Sequence, residues 1–242
     1  MQENQQDSVR INKYLAMSGI CSRRDADKLI ERGIVTINGK VAEKGDTVSP
    51  QDTVLVGKKQ AKTEEKKVVL AYYKPLGEIC TERDRHAEKR IMDSIRYPIR
   101  VTYAGRLDKD SEGLLLLTND GELIQRMMKG SGNHEKEYKV RTKQEVTEEF
   151  LQKMTCGIYL DELKITTKPC RAWQTGKFTF QIVLTQGVNR QIRRMCQTLG
   201  YRVEALKRVR VLNVLLENLH PGQYRELTEE ERTLLYKQCG MK

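Results

Sequence analysis

Arg106 and Asp108 sit in a short charged loop within residues 103–121, between apolar segments. Gly105 and Gly113 let the backbone turn without a Cβ penalty, and residues 114–117, four leucines, form an apolar run short enough to be a buried strand. Asn119-Asp120-Gly121 closes the stretch with a turn signal. A carboxylate beside a strand that must be core is an ionised acid held rigidly. Such a group can work as a base or a nucleophile, and an Asp in a Gly-containing loop can equally be a turn cap. The loop alone does not choose between these roles.

The rest of the chain limits the chemistry. It contains no G-x-x-x-x-G-K-S/T phosphate loop, no dinucleotide fingerprint and no serine-centred nucleophile elbow. Six cysteines (Cys21, Cys80, Cys156, Cys170, Cys196, Cys239) are scattered without a C-x-x-C pair or a histidine at ligand spacing, so they read as reduced thiols, mostly small core residues, with neither a zinc site nor a disulfide framework. The three histidines, His86, His134 and His220, offer no nucleophile-and-histidine pair, which makes a hydrolase the poorest option. An enzyme built on this chain is therefore expected to use side chains alone, with no cofactor and no metal.

The 242 residues carry 44 Lys and Arg against 33 Asp and Glu, a formal charge of +11. Residues 1–65 hold 11 basic and 10 acidic side chains, so nearly all of the surplus lies in the remainder. A basic balance points to a polyanionic partner, usually nucleic acid, although charge can also serve solubility. No apolar run approaches the roughly 20 residues that a membrane span needs, and the polar residues 1–7 are not a signal peptide. The expectation is a cytoplasmic protein with no membrane partner.

The elements that must position the loop follow from periodicity. Ile11, Tyr14, Leu15 and Ser18 share a helical face that Gly19 ends, and Ser22 caps a second helix over 23–32 that stops at Gly33. Residues 34–37 read as a strand entering an Asn38-Gly39 hairpin, and 52–56 close a small sheet. Residues 57–67 lack apolar periodicity and predict a flexible charged linker, separating a module over 1–60 from a larger domain over 68–242. There, 68–73 predict a strand ended by Pro75, 79–99 a polar surface loop with a helix near 90–95, and 122–129 a helix stopped by Gly130. Strands are expected over 136–141, 163–171, 178–185, 203–211 and 214–216, with helices from Thr147, over 189–200 and over 228–237. Strands and helices alternate without a regular βαβ period, so the larger domain is α+β, with a mainly antiparallel mixed sheet flanked by helices.

Arg10-Ile-Asn-Lys-Tyr-Leu, Ser22-Arg-Arg-Asp-Ala and Gly33-Ile-Val-Thr-Ile-Asn-Gly-Lys make the first module resemble the S4 RNA-binding domain. The resemblance implies phosphate contacts from Arg23, Arg24, Lys28 and Lys40. Arg23 and Arg24 can also simply solvate a helix start. Cations there oppose the helix dipole at about 0.3–1 kcal/mol each, which argues mildly for a functional reason.

Gly105-Arg-Leu-Asp and the following Ser111–Gly121 stretch, Lys74-Pro-Leu-Gly, Lys136-Glu-Tyr and residues 186–201 resemble four ordered motifs of the pseudouridine synthases. Within that family the chain is most similar to the RsuA/RluB/RluE/RluF group that modifies ribosomal RNA, nearest its RluF type. The resemblance implies isomerisation of uridine to pseudouridine, in which the ribose–nitrogen bond breaks, the base turns and ribose joins carbon 5. No atoms are gained or lost. Asp108 becomes the catalytic carboxylate, as a nucleophile or as the base that leads to a glycal intermediate. Tyr138 would stack on the target base, or else is a core aromatic on a half-buried strand.

Arg193 corresponds to the arginine paired with the catalytic carboxylate, and Arg190 and Arg194, on one helical face, are assigned to RNA phosphates. A solvated basic helix is the plainer alternative. The target nucleotide must be flipped out, and Arg106 is the side chain to brace or fill the gap, unless it forms a local salt bridge to Asp110 or Glu112. Lys74 is a further RNA contact, and Leu184 a pocket-lining candidate. The partner implied is ribosomal RNA, 23S first and transfer RNA as a second candidate, met by a monomer. The competing function is a noncatalytic RNA-binding or ribosome-assembly factor.

Overall fold

The computed structural model describes residues 8–63, 66–81, 89–129 and 132–241. The polar start, His86 and the Gly130 helix stop lie outside the described residues. Two compact units emerge: the chain up to Val68 with 97–101 and 119–121, and 69–96, 102–118 and 122–242.

The first unit runs β1 (Val9–Arg10), α1 (Ile11–Met17), α2 (Arg23–Glu31), β2 (Val35–Ile37), β3 (Lys40–Val41), β4 (Thr47–Val48), β5 (Val54–Val56) and β6 (Lys59–Ala61). The Ser22 hydroxyl accepts the Asp25 N–H at 3.2 Å, which caps α2. Asn38 and Gly39, at φ 50° and 82°, turn β2 into β3. Ile11, Leu15, Ala26, Ile30, Val35 and Val54 form one core beneath a sheet ordered β3-β2-β5-β6, while β1 pairs with β4. Strand β6 corrects the expectation of a flexible linker from residue 57. Lys59 and Gln60 are exposed on an edge strand and only Ala61 is buried, so the segment carries no apolar pattern to read.

The second unit contains β7 (Val69–Lys74), α3 (Ile91–Ser94), β8 (Thr102–Ala104), β9 (Glu112–Thr118), α4 (Gly121–Met128), β10 (Lys136–Thr142), α5 (Glu148–Thr155), β11 (Tyr159–Leu160), β12 (Ile165–Thr166), β13 (Arg171–Gly176), β14 (Thr179–Leu184), α6 (Gln191–Thr198), β15 (Val203–Val211), β16 (Val214–Leu215), β17 (Tyr224–Glu226) and α7 (Glu229–Gln238). The strand expected over 163–171 is instead a 3-10 turn at Asp161–Leu163, the short β12, and the start of β13 at Arg171. Lys164 takes a left-handed φ of 53°, which no run of apolar residues announces. The edge strand β17 is a second addition, polar and only three residues long.

The sheet is ordered β13-β14-β10-β15-β9-β7-β17. Buried residues of β7 and β9 form one core with Leu123, Met127 and Leu235 from α4 and α7. Val140, Phe180, Ile182 and Leu206 form the other with Phe150, Met154, Ile192 and Met195 from α5 and α6. Five of the six cysteines are buried or half-buried, and Cys156 is exposed.

One topological detail places the charged loop. β8 pairs with β9 only from Thr102↔Thr118 to Ala104↔Leu116, whereas the start of β9 is flanked by β15, in parallel, through Lys207↔Glu112 and Arg208↔Gly113. Residues 105–111 must therefore leave the sheet where β15 takes their place. The register continues the row as Lys74, Gly113, Arg208, Tyr138 and Ile182 across β7, β9, β15, β10 and β14, and directly opposed residues share a face. Gly113 is where the backbones come closest: at φ 106°, a Cβ there would stand 2.2 Å from the Arg208 carbonyl oxygen. Gly77, at φ 87°, has nothing within 4 Å of the equivalent point. Gly113→Ala should cost the second unit about 3 kcal/mol in urea unfolding, from overpacking added to backbone strain, and Gly77→Ala about 1 kcal/mol. Equal losses in the two variants would contradict the close approach.

Candidate active site

Asp108 lies on the 105–111 loop with its side chain 32% exposed. Its carbonyl accepts the Ser111 N–H at 3.1 Å, which closes the turn. Its carboxylate accepts no hydrogen bond from the described residues. The cation beside it is Arg190, with Nη1 4.0 Å from Oδ2, beyond hydrogen bonding but well within Coulomb range.

Arg190 and Arg193 converge on a different acid. Arg190 forks onto Asp110, Nη1 to Oδ1 at 3.0 Å and Nη2 to Oδ2 at 2.7 Å. Arg193 donates from Nη2 to the Asp110 carbonyl at 2.5 Å and from Nη1 to the Val203 carbonyl at 3.3 Å. The direct Asp108–Arg193 pair expected from the motif is thus not formed. Arg190 is the N-cap of α6 with a left-handed φ of 52°, not a residue of the helix, so the spacing that put it on a face with Arg194 does not apply. Arg194 pairs with Glu162 and donates to the Asn189 carbonyl. The Arg190 hydrogen bonds hold the Asp110 carboxyl below its ordinary range.

Lys74 overturns its assignment as an RNA contact. It is fully buried, and its ammonium donates to the carbonyls of Ser111 at 2.7 Å and Pro75 at 2.8 Å. No phosphate can reach it. Burial lowers its pKa, opposed by Cys80, Glu78, Asp108 and Asp110. Arg208, which sequence reasoning missed, is 3% exposed and donates from Nε to the Leu114 carbonyl at 2.6 Å and from Nη1 to the Arg106 carbonyl at 3.4 Å. Glu78 was missed as well. It is buried, and accepts from Tyr72 Oη at 2.5 Å and Ser94 Oγ at 2.7 Å, tying β7 to α3.

Tyr138 is half-buried against the apolar cluster under α5 and α6, opposite Arg208 in register and so about two strand spacings, roughly 10 Å, from Gly113. No hydrogen bond or ring contact among the described residues ties it to Asp108 or Arg193. Arg106 is exposed and forms no salt bridge there. The acids proposed for it are taken, Glu112 by the Tyr73 hydroxyl at 2.9 Å and Asp110 by Arg190. Leu184 is core. His134 is buried with Nδ1 3.2 Å from the Met127 carbonyl, away from any nucleophile role. Beside the site, Arg190, Arg193, Gln197, Tyr201 and Arg202 line a depression of about 560 Å³. In the first unit Arg23, Arg24 and Lys40 are exposed without ion pairs among the described residues, and Lys28 pairs with Asp25 at 3.3 Å. Among the described residues no group of three or more His, Cys, Asp or Glu is placed to hold a metal ion, and no helix is long and apolar enough to cross a membrane.

Two outcomes follow for Lys74 and Lys136. Lys74→Met strands two carbonyls and should cost about 2 kcal/mol in urea unfolding while leaving RNA affinity unchanged; weakened binding with intact stability would restore the contact reading. Lys136, on the face of Tyr138, is pulled down to about 8 by burial and then by the charge of Arg208. The folded value lies below the ordinary 10.5, so between pH 8 and 10.5 the unfolded chain binds more protons and stability rises with pH. The stability of the wild type relative to Lys136→Met should therefore climb from pH 8 to 10, and a flat difference would refute the shift.

Two family models match the chain: the RNA pseudouridylate synthase over residues 68–198 and the S4 domain over 9–54. The dual-specificity RNA pseudouridine synthase RluF of Escherichia coli K12 is 44% identical, over 95% of this chain and 79% of its own. Ribosomal large subunit pseudouridine synthase B of Bacillus subtilis is 37% identical, over 92% and 93%. A crystal structure of a pseudouridylate synthase superposes with a TM-score of 0.70 at 30% identity, covering 94% of this chain and 99% of that one. With the aspartate loop, the arginine-bearing turn of α6 and the mixed sheet in place, the chain belongs to the RNA pseudouridine synthase family and carries an S4 domain at its N-terminal end.

Proposed function

We propose that this protein isomerises a uridine of 23S ribosomal RNA, with a transfer RNA as a second substrate, acting as a cytoplasmic monomer and using Asp108 as its catalytic carboxylate. The observation that carries the catalytic assignment is the state of that side chain. Asp108 is solvent-reachable, has the Arg190 guanidinium 4.0 Å away, and is free of hydrogen bonds to the described residues, while Asp110 two residues on takes the guanidinium fork. The two relatives, a dual-specificity RNA pseudouridine synthase and one of the large ribosomal subunit, support the choice of RNA.

Asp108 acts on the flipped nucleotide as a nucleophile or as a base that takes a ribose proton, with the Arg190 guanidinium 4.0 Å from its carboxylate. The base turns against Tyr138, on the same sheet face as Arg208. Arg106 reaches into the space that the flipped nucleotide leaves, at an unstacking cost of a few kcal/mol. Arg193 braces the loop through the Asp110 carbonyl, and the basic depression beside α6 with Arg190 and Arg194 follows the backbone. Arg23, Arg24, Lys28 and Lys40 grip RNA from the S4 domain.

Asp108→Asn should abolish tritium release from carbon-5-labelled uridine in ribosomal RNA, a loss of about 10⁴-fold or more, while RNA binding stays near the wild-type level. Full turnover in that variant would remove Asp108 from the chemistry. Pseudouridine mapping of ribosomal and transfer RNA from cells with and without the protein tests the substrate, and unchanged maps would reject it.

A further inference from the structure

The residues on either side of Asp108 are fastened to one short stretch of chain. The Lys109 carbonyl accepts the Gly77 N–H at 2.9 Å, and the buried Leu107 N–H donates to Cys80 Sγ at 3.3 Å. Only Leu107, Asp108 and Lys109 stand between those two held peptides. Residues 77–80 have a firm base of their own. Glu78 is buried and accepts from the Tyr72 and Ser94 hydroxyls, while the Ile79 N–H donates to the Lys89 carbonyl at 3.1 Å and the Ile79 carbonyl accepts the Ile91 N–H at 3.3 Å. The sulfur stands where a strand partner is missing. β8 ends at Ala104 and β9 begins at Glu112, so Leu107 has no ladder to donate to. A buried N–H without an acceptor costs its desolvation in full, so even a weak acceptor such as sulfur stabilises the turn. Burial pushes the Cys80 thiol up, against the lowering pull of the Leu107 N–H and of Lys74, Arg208 and Arg106. Cys80 is therefore a neutral thiol and not a nucleophile.

We infer that Cys80 is a positioning residue of this active site: its sulfur takes the Leu107 N–H while the Gly77 N–H holds the Lys109 carbonyl, so that one short segment clamps the chain on both sides of Asp108 and aims its carboxylate. This rests on the pseudouridine synthase reading. Without the acceptor, the Leu107 N–H turns to another partner and the peptide before Leu107 turns with it. Lys109 stays held, so the loop persists while its carboxylate is re-aimed from one end. RNA still binds, because the sulfur and the N–H that it accepts are both buried.

The test is steady-state kinetics of the full chain on ribosomal RNA labelled with tritium at carbon 5, with the melting temperature of each variant recorded beside it. Cys80→Ala and Cys80→Val remove the acceptor, whereas Cys80→Ser keeps one on a shorter bond. A misaimed carboxylate should lower kcat about 30-fold in Cys80→Ala and Cys80→Val with KM within about twofold of wild type, against a fall of about threefold in Cys80→Ser. A residue that merely fills the core would rank the other way, since alanine and valine suit an apolar site and a serine hydroxyl does not. If only one of the two apolar variants folds, that one decides. If neither folds, Cys80→Ser decides alone, a kcat within about fivefold of wild type supporting the inference and a lower one overturning it. The inference is also overturned by a kcat within about fivefold of wild type in a folded apolar variant, by a loss carried in KM, or by a Cys80→Ser no more active than Cys80→Ala. Wild-type enzyme run in parallel separates the two readings: no tritium release from it removes the pseudouridylation reading itself, whereas normal release beside an unaffected apolar variant removes only the role of Cys80.

Discussion

The loop that carries Asp108 is held by its carbonyls. Arg106 and Leu114 give theirs to Arg208, Asp110 gives its own to Arg193, and Ser111 gives its own to Lys74. Hydrogen bonds from charged donors are worth about 1.5–3 kcal/mol each, and a buried cation is tolerable only when its N–H groups are satisfied in this way. Loop and cations therefore depend on each other. Because the anchoring acceptors are main-chain oxygens, the carboxylate of Asp108 does not have to serve as an anchor.

That arrangement requires β15 beside β9. The parallel contact spans only Glu112 and Gly113, but it brings Arg208 behind the loop and displaces residues 105–111 from the sheet. A Cβ at position 113 would stand 2.2 Å from the Arg208 carbonyl oxygen, which explains why that position has no side chain, and the apolar clusters on either side of the sheet supply the rigidity that holds the two backbones so close. The placing of Asp108 thus depends on strand order more than on any property of the loop.

How far the sequence could be read follows from the range of the interactions. Local signals survived well: Ser22, Thr147 and Thr228 cap the helices that their positions announce, and 114–117 sit within β9. Lys59–Ala61 and Tyr224–Glu226 are strands without alternation because each lies on a sheet edge, where one buried residue or none suffices. The arginine partnerships were not legible. Arg190 leaves the helix through a left-handed cap, and its partner lies 80 residues away in sequence, so helical spacing assigned it to the wrong face. Lys74 looked like a surface cation because its acceptors are carbonyls, which leave no trace in residue type.

Net charge is an incomplete map of an RNA-binding surface for the same reason. Lys74, Arg190, Arg193, Arg208, Arg210 and Arg225 all count toward +11, yet each is bonded to a carbonyl or carboxylate of its own unit. Their charge still adds to the long-range potential that draws a polyanion in. Close-range contact is readiest for exposed cations with no internal duty among the described residues, among them Arg106 and Arg202 in the second unit and Arg23, Arg24 and Lys40 in the first. Arg106 belongs in that set because Tyr73 and Arg190 have already occupied Glu112 and Asp110. Commitment of those acids is what leaves a single unpaired guanidinium on the loop that carries Asp108.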